Sequence, residues 1–243
     1  MNEEEYKKFV DSRKNYIGAS DSPVIMGVSP WRTPYQLWEE KLGLSEPQED
    51  SYVLKRGREL EPIAREAYII STGNVVEPKM VVHPDIPYMM ANFDGINEDH
   101  TKAVEIKCPG KKDHDLAKEG IIPEKYYPQL QHQLEVTGLE EIHYFSFLDD
   151  NTVLLTVKRD DDFIKKLKHM AKQFWFYVQN LNSPPLSTRD YIEKSDLEWA
   201  ATASAWSQIK REISELKKKE ALHREHLIDL AKKKNTKGCG IKL

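Results

Sequence analysis

The chain of 243 residues has a mass of 28.3 kDa, a formal net charge of −4, 39% hydrophobic residues and 31% charged residues. This composition favours a soluble globular protein over a disordered one, and the length allows a substantial core plus an appendage. No apolar run approaches the roughly 20 residues of a membrane span, and the acidic start of the chain is unlike a signal peptide. Two cysteines are too few for a disulfide framework. We therefore expect a cytoplasmic protein without membrane contact.

Near its start the chain carries two polar residues, Arg13 and Ser20, that lie seven positions apart. Each has a structural interpretation, Arg13 as a helix-terminal cation and Ser20 as the N-cap of a short helix through Val24. A second short helix is predicted to begin at Pro34, because Thr33 is a good cap and proline suits the first helical position.

Residues 56–68 predict a helix that ends near Gly73, with apolar residues at helical spacing. Pro62 makes the start of this helix uncertain, since proline breaks or kinks a helix outside its first turn. Glu61 lies on this helix as a candidate metal ligand. The alternative is a surface carboxylate on an amphipathic helix.

A β-hairpin is predicted next, with strands at residues 90–96 and 102–107 joined by a polar turn. Side chains alternate along a strand, so Glu105 and Lys107 share one face. Asp94 lies on the partner strand and can be brought opposite Glu105. The hairpin thus predicts two carboxylates and an amine at one place.

These residue types suit the hydrolysis of a phosphodiester, which needs a hard cation held by oxygens, a source of hydroxide and positive charge near the phosphate. Asp94 and Glu105 would supply the oxygens, and Lys107 would position or deprotonate the attacking water or steady the developing charge. Taken alone, this short motif is more often a solvated strand with an incidental Glu/Lys pair.

A helix over residues 126–138 is predicted to follow, with Pro128 in its first turn and a terminal glycine. Gln129 and Gln133 are one turn apart and can bond a phosphate or water from the same face, whereas Gln131 points elsewhere. Glutamines are also common on exposed helix faces.

Two strands at residues 142–148 and 153–158 and a helix at 161–181 complete the predicted core. The helix has an apolar stripe, most simply a packing face, formed by Phe163, Leu167, Met170, Phe174, Val178 and Leu181.

A long helix is predicted from Asp196 to about Lys234, with a heptad seam that begins at Trp199. Residues 208–243 carry eleven Lys or Arg and five Asp or Glu, so this helix is either a packing arm or a basic surface for DNA. The last six residues predict a strand-like end with no partner after it. We expect the C-terminus to be incomplete.

Five motifs in order resemble those of the YqaJ-type viral recombinases, which are similar to bacteriophage lambda exonuclease within the PD-(D/E)XK nuclease superfamily. The resemblance covers about residues 8–160. The motifs are Ile17–Asp21, Gly57–Pro62, Phe93–Gly95, Glu105–Pro109 and the helix with tyrosines and glutamines.

The resemblance implies a catalytic site at the hairpin. Asp94, Glu105 and the main-chain carbonyl of Ile106 would bind metal, Lys107 would be the catalytic lysine, and Glu61 would lie near a second metal position. The implied cofactor is Mg²⁺ or Mn²⁺, with two ions per site.

It also implies further site residues. Gln129 matches the glutamine of the helix that follows the hairpin, and Arg13 with Ser20 matches an arginine and a serine that help to hold a terminal 5′-phosphate in the lambda enzyme. Asn92 is assigned to DNA binding. Phe93 replaces the signature proline, at a position that supplies no ligand.

The fold implied is an α/β (α+β) nuclease core at residues 1–185, with a mixed central sheet flanked by helices, and a C-terminal helical arm at 186–243. The activity implied is 5′→3′ degradation of double-stranded DNA ends to mononucleotides, leaving 3′ single strands. Partners would be a single-strand annealing recombinase and two further copies in a homotrimer, in a bacterial or phage-infected cell. No iron–sulfur cluster is expected. Nucleases with the same core that hold such a cluster often use four cysteines, and this chain has two.

Two alternatives stay open at this stage. One is an endonuclease with the same core, because the motif cleaves phosphodiesters without dictating end or interior. The other is a non-catalytic DNA-end-binding recombinase adaptor built around the helical arm. Such an adaptor would have no chemical need for Asp94, Glu105 and Lys107, and all three are intact.

Overall fold

The structure is a computed structural model that describes residues 14–45, 52–232 and 234–242. Arg13 lies outside the described residues. The chain divides into two compact units, residues 1–191 and 192–243.

Over the described residues, the first unit contains a six-stranded sheet. It is a mixed central sheet, as the family resemblance implied, and it adds β1 and β2 to the four predicted strands. The sheet order is β1-β3-β4-β5-β6, with β2 paired antiparallel to β3. The pairs β1–β3 and β4–β5 are parallel, whereas β3–β4 and β5–β6 are antiparallel. The strands are β1 Ile17–Gly18, β2 Glu77–Val82, β3 Met89–Ile96, β4 Ala103–Lys107, β5 Glu141–Leu148 and β6 Asn151–Lys158.

The described residues of this unit also form six α-helices. They are α1 Ser22–Ile25, α2 Pro34–Leu42, α3 Tyr52–Thr72, α4 Lys111–Lys118, α5 Tyr127–Thr137 and α6 Asp161–Gln179. The predicted cap of α2 is confirmed, because the Thr33 hydroxyl accepts from the Gln36 N–H at 3.1 Å. Helix α3 runs through Pro62, so the proline does not end it, and Gly73 follows it with a left-handed φ of 72°.

The two faces of the sheet pack against different helices. Ala64 and Tyr68 of α3 join a buried cluster with Val104 and Ile106 of β4. Leu130 and Leu134 of α5 belong to a second cluster, which includes Ala103 from the same strand. Because side chains alternate along β4, the side chain of Glu105 is directed to the side of α5.

One detail of α6 differs from the prediction. Leu167, Phe174 and Val178 of the predicted stripe are buried. Leu181 is exposed, because α6 ends at Gln179 and the chain leaves the helix before this residue.

The second unit contains the predicted long helix, α7, at Leu197–Leu230, with the Asp196 side chain accepting from the Trp199 N–H. None of the residues of α7 is buried. The predicted strand-like end forms a strand, and its partner precedes it in the chain: β8 Ile241–Lys242 pairs antiparallel with β7 Lys237–Gly238. Within the described ranges no helix is both long and apolar enough to cross a membrane.

Candidate active site

The hairpin of β3 and β4 brings the two predicted carboxylates together. Gly95 pairs with Val104 in an antiparallel register, and Asp94 and Glu105 are the next residues on the two strands. Asp94 Oδ2 accepts a hydrogen bond from the Ile106 N–H at 2.8 Å. A Cβ at Gly95 would lie 2.6 Å from Val76 Cγ2 and 2.9 Å from Val104 Cγ1, so only glycine leaves room for these two valine side chains here.

Glu105 is the centre of a buried hydrogen-bond network. It is 1% exposed, and its Oε1 accepts from the Lys107 ammonium and, at 2.6 Å, from the Gln129 amide. Its Oε2 accepts from the amide of Gln133. Lys107 also donates to Gln129 Oε1 at 3.2 Å. The hairpin and the glutamine face of α5 therefore meet at Glu105.

Helix α3 adds Glu61 and Arg65 from the other side of the hairpin. The Arg65 guanidinium donates to the main-chain carbonyl of Asp94 at 2.5 Å and to the Glu61 carboxylate. Glu61 and Arg65 are four residues apart on α3, so both lie on the same face of the helix, one turn apart. Arg65 thereby ties the strand of Asp94 to the helix of Glu61.

The site carries more negative than positive charge. Burial and the nearby Glu105 raise the pKa of Asp94 well above its usual range. Burial also raises the pKa of Glu61, which Arg65 lowers and Glu105 raises. Burial lowers the pKa of Lys107, but Glu105 and Asp94 outweigh that effect and raise it. Three carboxylates thus lie within electrostatic reach of one another with two cations beside them.

The donor set fits a hard divalent cation. In the described part of the chain no group of three His, Cys, Asp or Glu side chains stands ready as a metal site. However, Glu61, Asp94 and Glu105 offer only oxygens, which Mg²⁺ and Mn²⁺ prefer, and their mutual repulsion is what a cation would relieve. Burial raises the pKa of Cys108 to about 11, so this neighbour does not compete as a thiolate.

The predicted phosphate-binding residues are less well defined. Ser20 is exposed in the 3₁₀ turn Ala19–Asp21, and its alternative interpretation as an N-cap is wrong, because Asp21 occupies that position for α1. Asn92 is partly buried, and its amide lies 3.9 Å from Met90 Sδ. Arg13 is outside the described residues. The roles of these three residues stay predictions.

Three residues at the site were missed or undervalued by sequence reasoning. Gln133 is fully buried, although exposure was the expected alternative, and its spacing from Gln129 was the available signal. Arg65 follows Glu61 by one helix turn, which also marks it. Tyr126, whose ring centroid lies 5.3 Å from Lys107 Nζ, gave no signal beyond its place before Gln129.

Comparison with known proteins places the chain among a group of recombination proteins. Residues 8–140 match the model of the YqaJ-like viral recombinase domain. The protein YqaJ of Bacillus subtilis strain 168, described as uncharacterized, is 31% identical over 171 residues, which are 67% of this chain and 53% of YqaJ. The chain thus spans about half the length of this curated relative.

Solved structures that this chain is similar to include exonucleases. An alkaline exonuclease of Laribacter hongkongensis, LHK-Exo, is 28% identical, with a TM-score of 0.63 over 72% of this chain and 93% of LHK-Exo. A structure of LHK-Exo in complex with dAMP matches with 27% identity and the same TM-score and coverage. A phage-related exonuclease of Haemophilus somnus 129PT, 14% identical with a TM-score of 0.55 over 68% of this chain and 94% of the other, shares the fold.

Proposed function

The chain belongs to the YqaJ-like viral recombinase domain family, and from this premise we propose that it is a metal-dependent 5′→3′ exonuclease acting on double-stranded DNA ends. The observation that carries the proposal is the network on Glu105, where Lys107, Gln129 and Gln133 converge beside Asp94 and Glu61. A structural strand would have no need to gather such an excess of carboxylates around a buried glutamate. The similarity to LHK-Exo supports the same reaction class.

Each residue then has a role. Glu61, Asp94, Glu105 and the Ile106 carbonyl would hold Mg²⁺ or Mn²⁺, two ions per site by family resemblance. When bound, the metal supplies charge neutralisation at the scissile phosphate and an acidified water. Lys107 would position the attacking water or steady the developing charge.

The α5 glutamines would orient these groups. Gln129 bridges Lys107 and Glu105, and Gln133 bridges Glu105 and the Asn92 carbonyl at 3.3 Å. Arg13, Ser20 and Asn92 are proposed to hold the 5′-phosphorylated end of the DNA. The bound dAMP of LHK-Exo agrees with a mononucleotide product.

The wider setting is part of the same proposal. The remaining 3′ single strand would pass to an annealing recombinase, and a homotrimer would enclose the DNA and support processive digestion. Both statements rest on family resemblance.

The test is digestion of linear duplex DNA, with and without a 5′-phosphate and alongside a closed circle, in Mg²⁺ and in EDTA. We expect metal-dependent loss of the linear DNA only, stimulated by the 5′-phosphate and abolished by Lys107→Ala. Lys102→Ala is the matched control, because Lys102 lies just before β4 and pairs with Glu141 at 3.0 Å, away from the site. Ser20→Ala should reduce the stimulation by the 5′-phosphate.

Other outcomes would change the assignment. Cleavage of the circle would make the protein an endonuclease. Binding to DNA ends without cleavage in Mg²⁺ would make it an adaptor.

A further inference from the structure

An exposed tryptophan, Trp31, is presented by an anchored loop between α1 and α2. Trp31 is 63% exposed. The Ser29 hydroxyl accepts from the main-chain N–H groups of Trp31 and Arg32, both at 3.3 Å. The Arg189 guanidinium donates to the carbonyls of Ser29 at 2.9 Å and Pro30 at 3.0 Å. The loop is thus held from two sides while its largest apolar side chain faces solvent, which is a common property of recognition residues.

Cation–π contacts connect this tryptophan to the active site. Lys125 Nζ lies 5.0 Å from the ring centroid of Trp31 and 5.1 Å from that of Tyr126. Tyr126 in turn lies 5.3 Å from Lys107 Nζ. Lys125 is fixed by an ion pair with Asp113 at 2.6 Å. Aromatic and cationic groups therefore alternate without a break from Lys107 to Trp31.

The length of this row fits a short stretch of nucleic acid. Three contacts of this size reach at most about four steps of a strand whose phosphates are about 3.4 Å apart along the axis. Aromatic rings next to cations form the surface on which bases stack in proteins that bind single strands.

A second tryptophan–lysine pair shows what an incidental contact looks like. Lys210 Nζ lies 4.5 Å from the ring centroid of Trp206, but both residues belong to α7 and are one helix turn apart. Any helix with these residues at this spacing forms such a pair. Trp31 and Lys125 come from separate segments, and the loop of Trp31 is fixed by Arg189 from a third segment.

We propose that Trp31 stacks on a nucleobase of the DNA strand that enters the site, within about four nucleotides of the scissile phosphate. Lys125 lies over the indole ring and leaves most of the residue accessible for the base. This inference rests on the proposed nuclease function and adds a residue that would set the position of the strand.

The test compares Trp31→Ala, Trp31→Phe and the control Trp206→Ala with the unmodified protein. A 5′-phosphorylated duplex carries 2-aminopurine at one of its first five nucleotides, and its fluorescence is measured in EDTA, where binding proceeds without cleavage. KM and kcat for DNA digestion are then measured in Mg²⁺. Thermal melting checks that each variant is folded.

The unmodified protein should quench 2-aminopurine at one or two adjacent positions, and Trp31→Phe should keep most of this quenching. Trp31→Ala should lose it and raise KM by about 10-fold, with a smaller change in kcat. Trp206→Ala should leave both readouts unchanged.

Two results would overturn the inference in distinguishable ways. If the protein degrades DNA but Trp31→Ala keeps the quenching and the KM, or if Trp206→Ala has the same effect, the stacking role is wrong and the nuclease function stands. If the unmodified protein neither binds nor degrades DNA, both proposals fail together.

Discussion

Two buried glutamates, Glu105 and Glu135, each accept hydrogen bonds from three side chains, but their surroundings differ in charge. Glu105 accepts from one cation and two neutral amides, and it has Asp94 and Glu61 as neighbours. Glu135 accepts from Lys168 at 2.7 Å, from Arg159 and from His83 at 3.3 Å.

The pKa values respond in opposite directions. Around Glu105, burial and like charge raise the pKa of Asp94. Burial would also raise the pKa of Glu135, but hydrogen bonds from Lys168, Arg159 and His83 outweigh it and lower that pKa to about 2. A carboxylate whose charge is fully matched stabilises the fold, whereas a cluster with unmatched negative charge is suited to bind a cation.

The largest expected effect is on catalysis at the first site. Glu105→Gln should reduce the rate of DNA degradation by at least about 10³-fold, because it removes a charged oxygen ligand and the ion pair of Lys107. The free energy of unfolding should change by less than about 1 kcal/mol, since relief of repulsion offsets the lost ion pair. Digestion kinetics and urea denaturation check both numbers. A large loss of stability would contradict the contrast between the two glutamates.

The matched substitution at the second site should act on stability. Glu135→Gln should lower the free energy of unfolding by about 3 kcal/mol, because Arg159 loses its buried counter-charge. Urea denaturation measures this loss. Below the melting temperature the variant should keep its activity to within about 3-fold. A change of this size corresponds to less than about 1.4 kcal/mol of transition-state stabilisation, which would be a factor of about 10 in rate. An inactive but stable Glu135→Gln protein would show that this cluster belongs to the catalytic site.

Metal binding should also distinguish the Glu105 site from the Glu135 cluster. Mg²⁺ at about 100 times its dissociation constant should stabilise the unmodified protein by about 2.7 kcal/mol. Glu135→Gln should respond equally, and Asp94→Asn should not respond. The measurement is the melting temperature with Mg²⁺ and with EDTA. Equal responses in all three proteins would place the metal elsewhere.

The smallest expected effect is on the pH dependence of stability. The pKa of Glu135 is lower in the folded protein than its ordinary value of 4.5, so its stabilisation is present above about pH 4.5 and is lost as the pH falls towards 2. The difference in melting temperature between the unmodified protein and Glu135→Gln should therefore shrink across this window. A constant difference from pH 6 to pH 2 would argue against a lowered pKa.

Local patterns predicted much of the first site. The alternation of residues in β4 set Glu105 and Lys107 on one face, and helical spacing paired Gln129 with Gln133. These inferences depend on neighbours in sequence, for which the geometry of one element suffices. The charge of the whole site did not follow, because Arg65, which was not predicted, joins it from a separate helix.

The second site lay beyond sequence reasoning. Glu135 is 33 residues from Lys168 and 52 from His83, and no spacing rule connects them. One local prediction failed for a different reason. Leu181 lies past the last turn of α6. The exact end of this helix decided the outcome.

The segment around β1 is held by contacts with residues far along the chain, and this affects the order in which the chain folds. The hydrogen bond that joins Asp94 to Ile106 spans 12 residues, so the hairpin can form early. The bond between Ser22, which follows β1, and His132 of α5 spans 110 residues, and closing so long a loop costs more entropy. The segment with Ser20 should therefore join late in folding and open first in native-state hydrogen exchange. The carboxylates would stay in place while the segment proposed to hold the DNA end opens and closes.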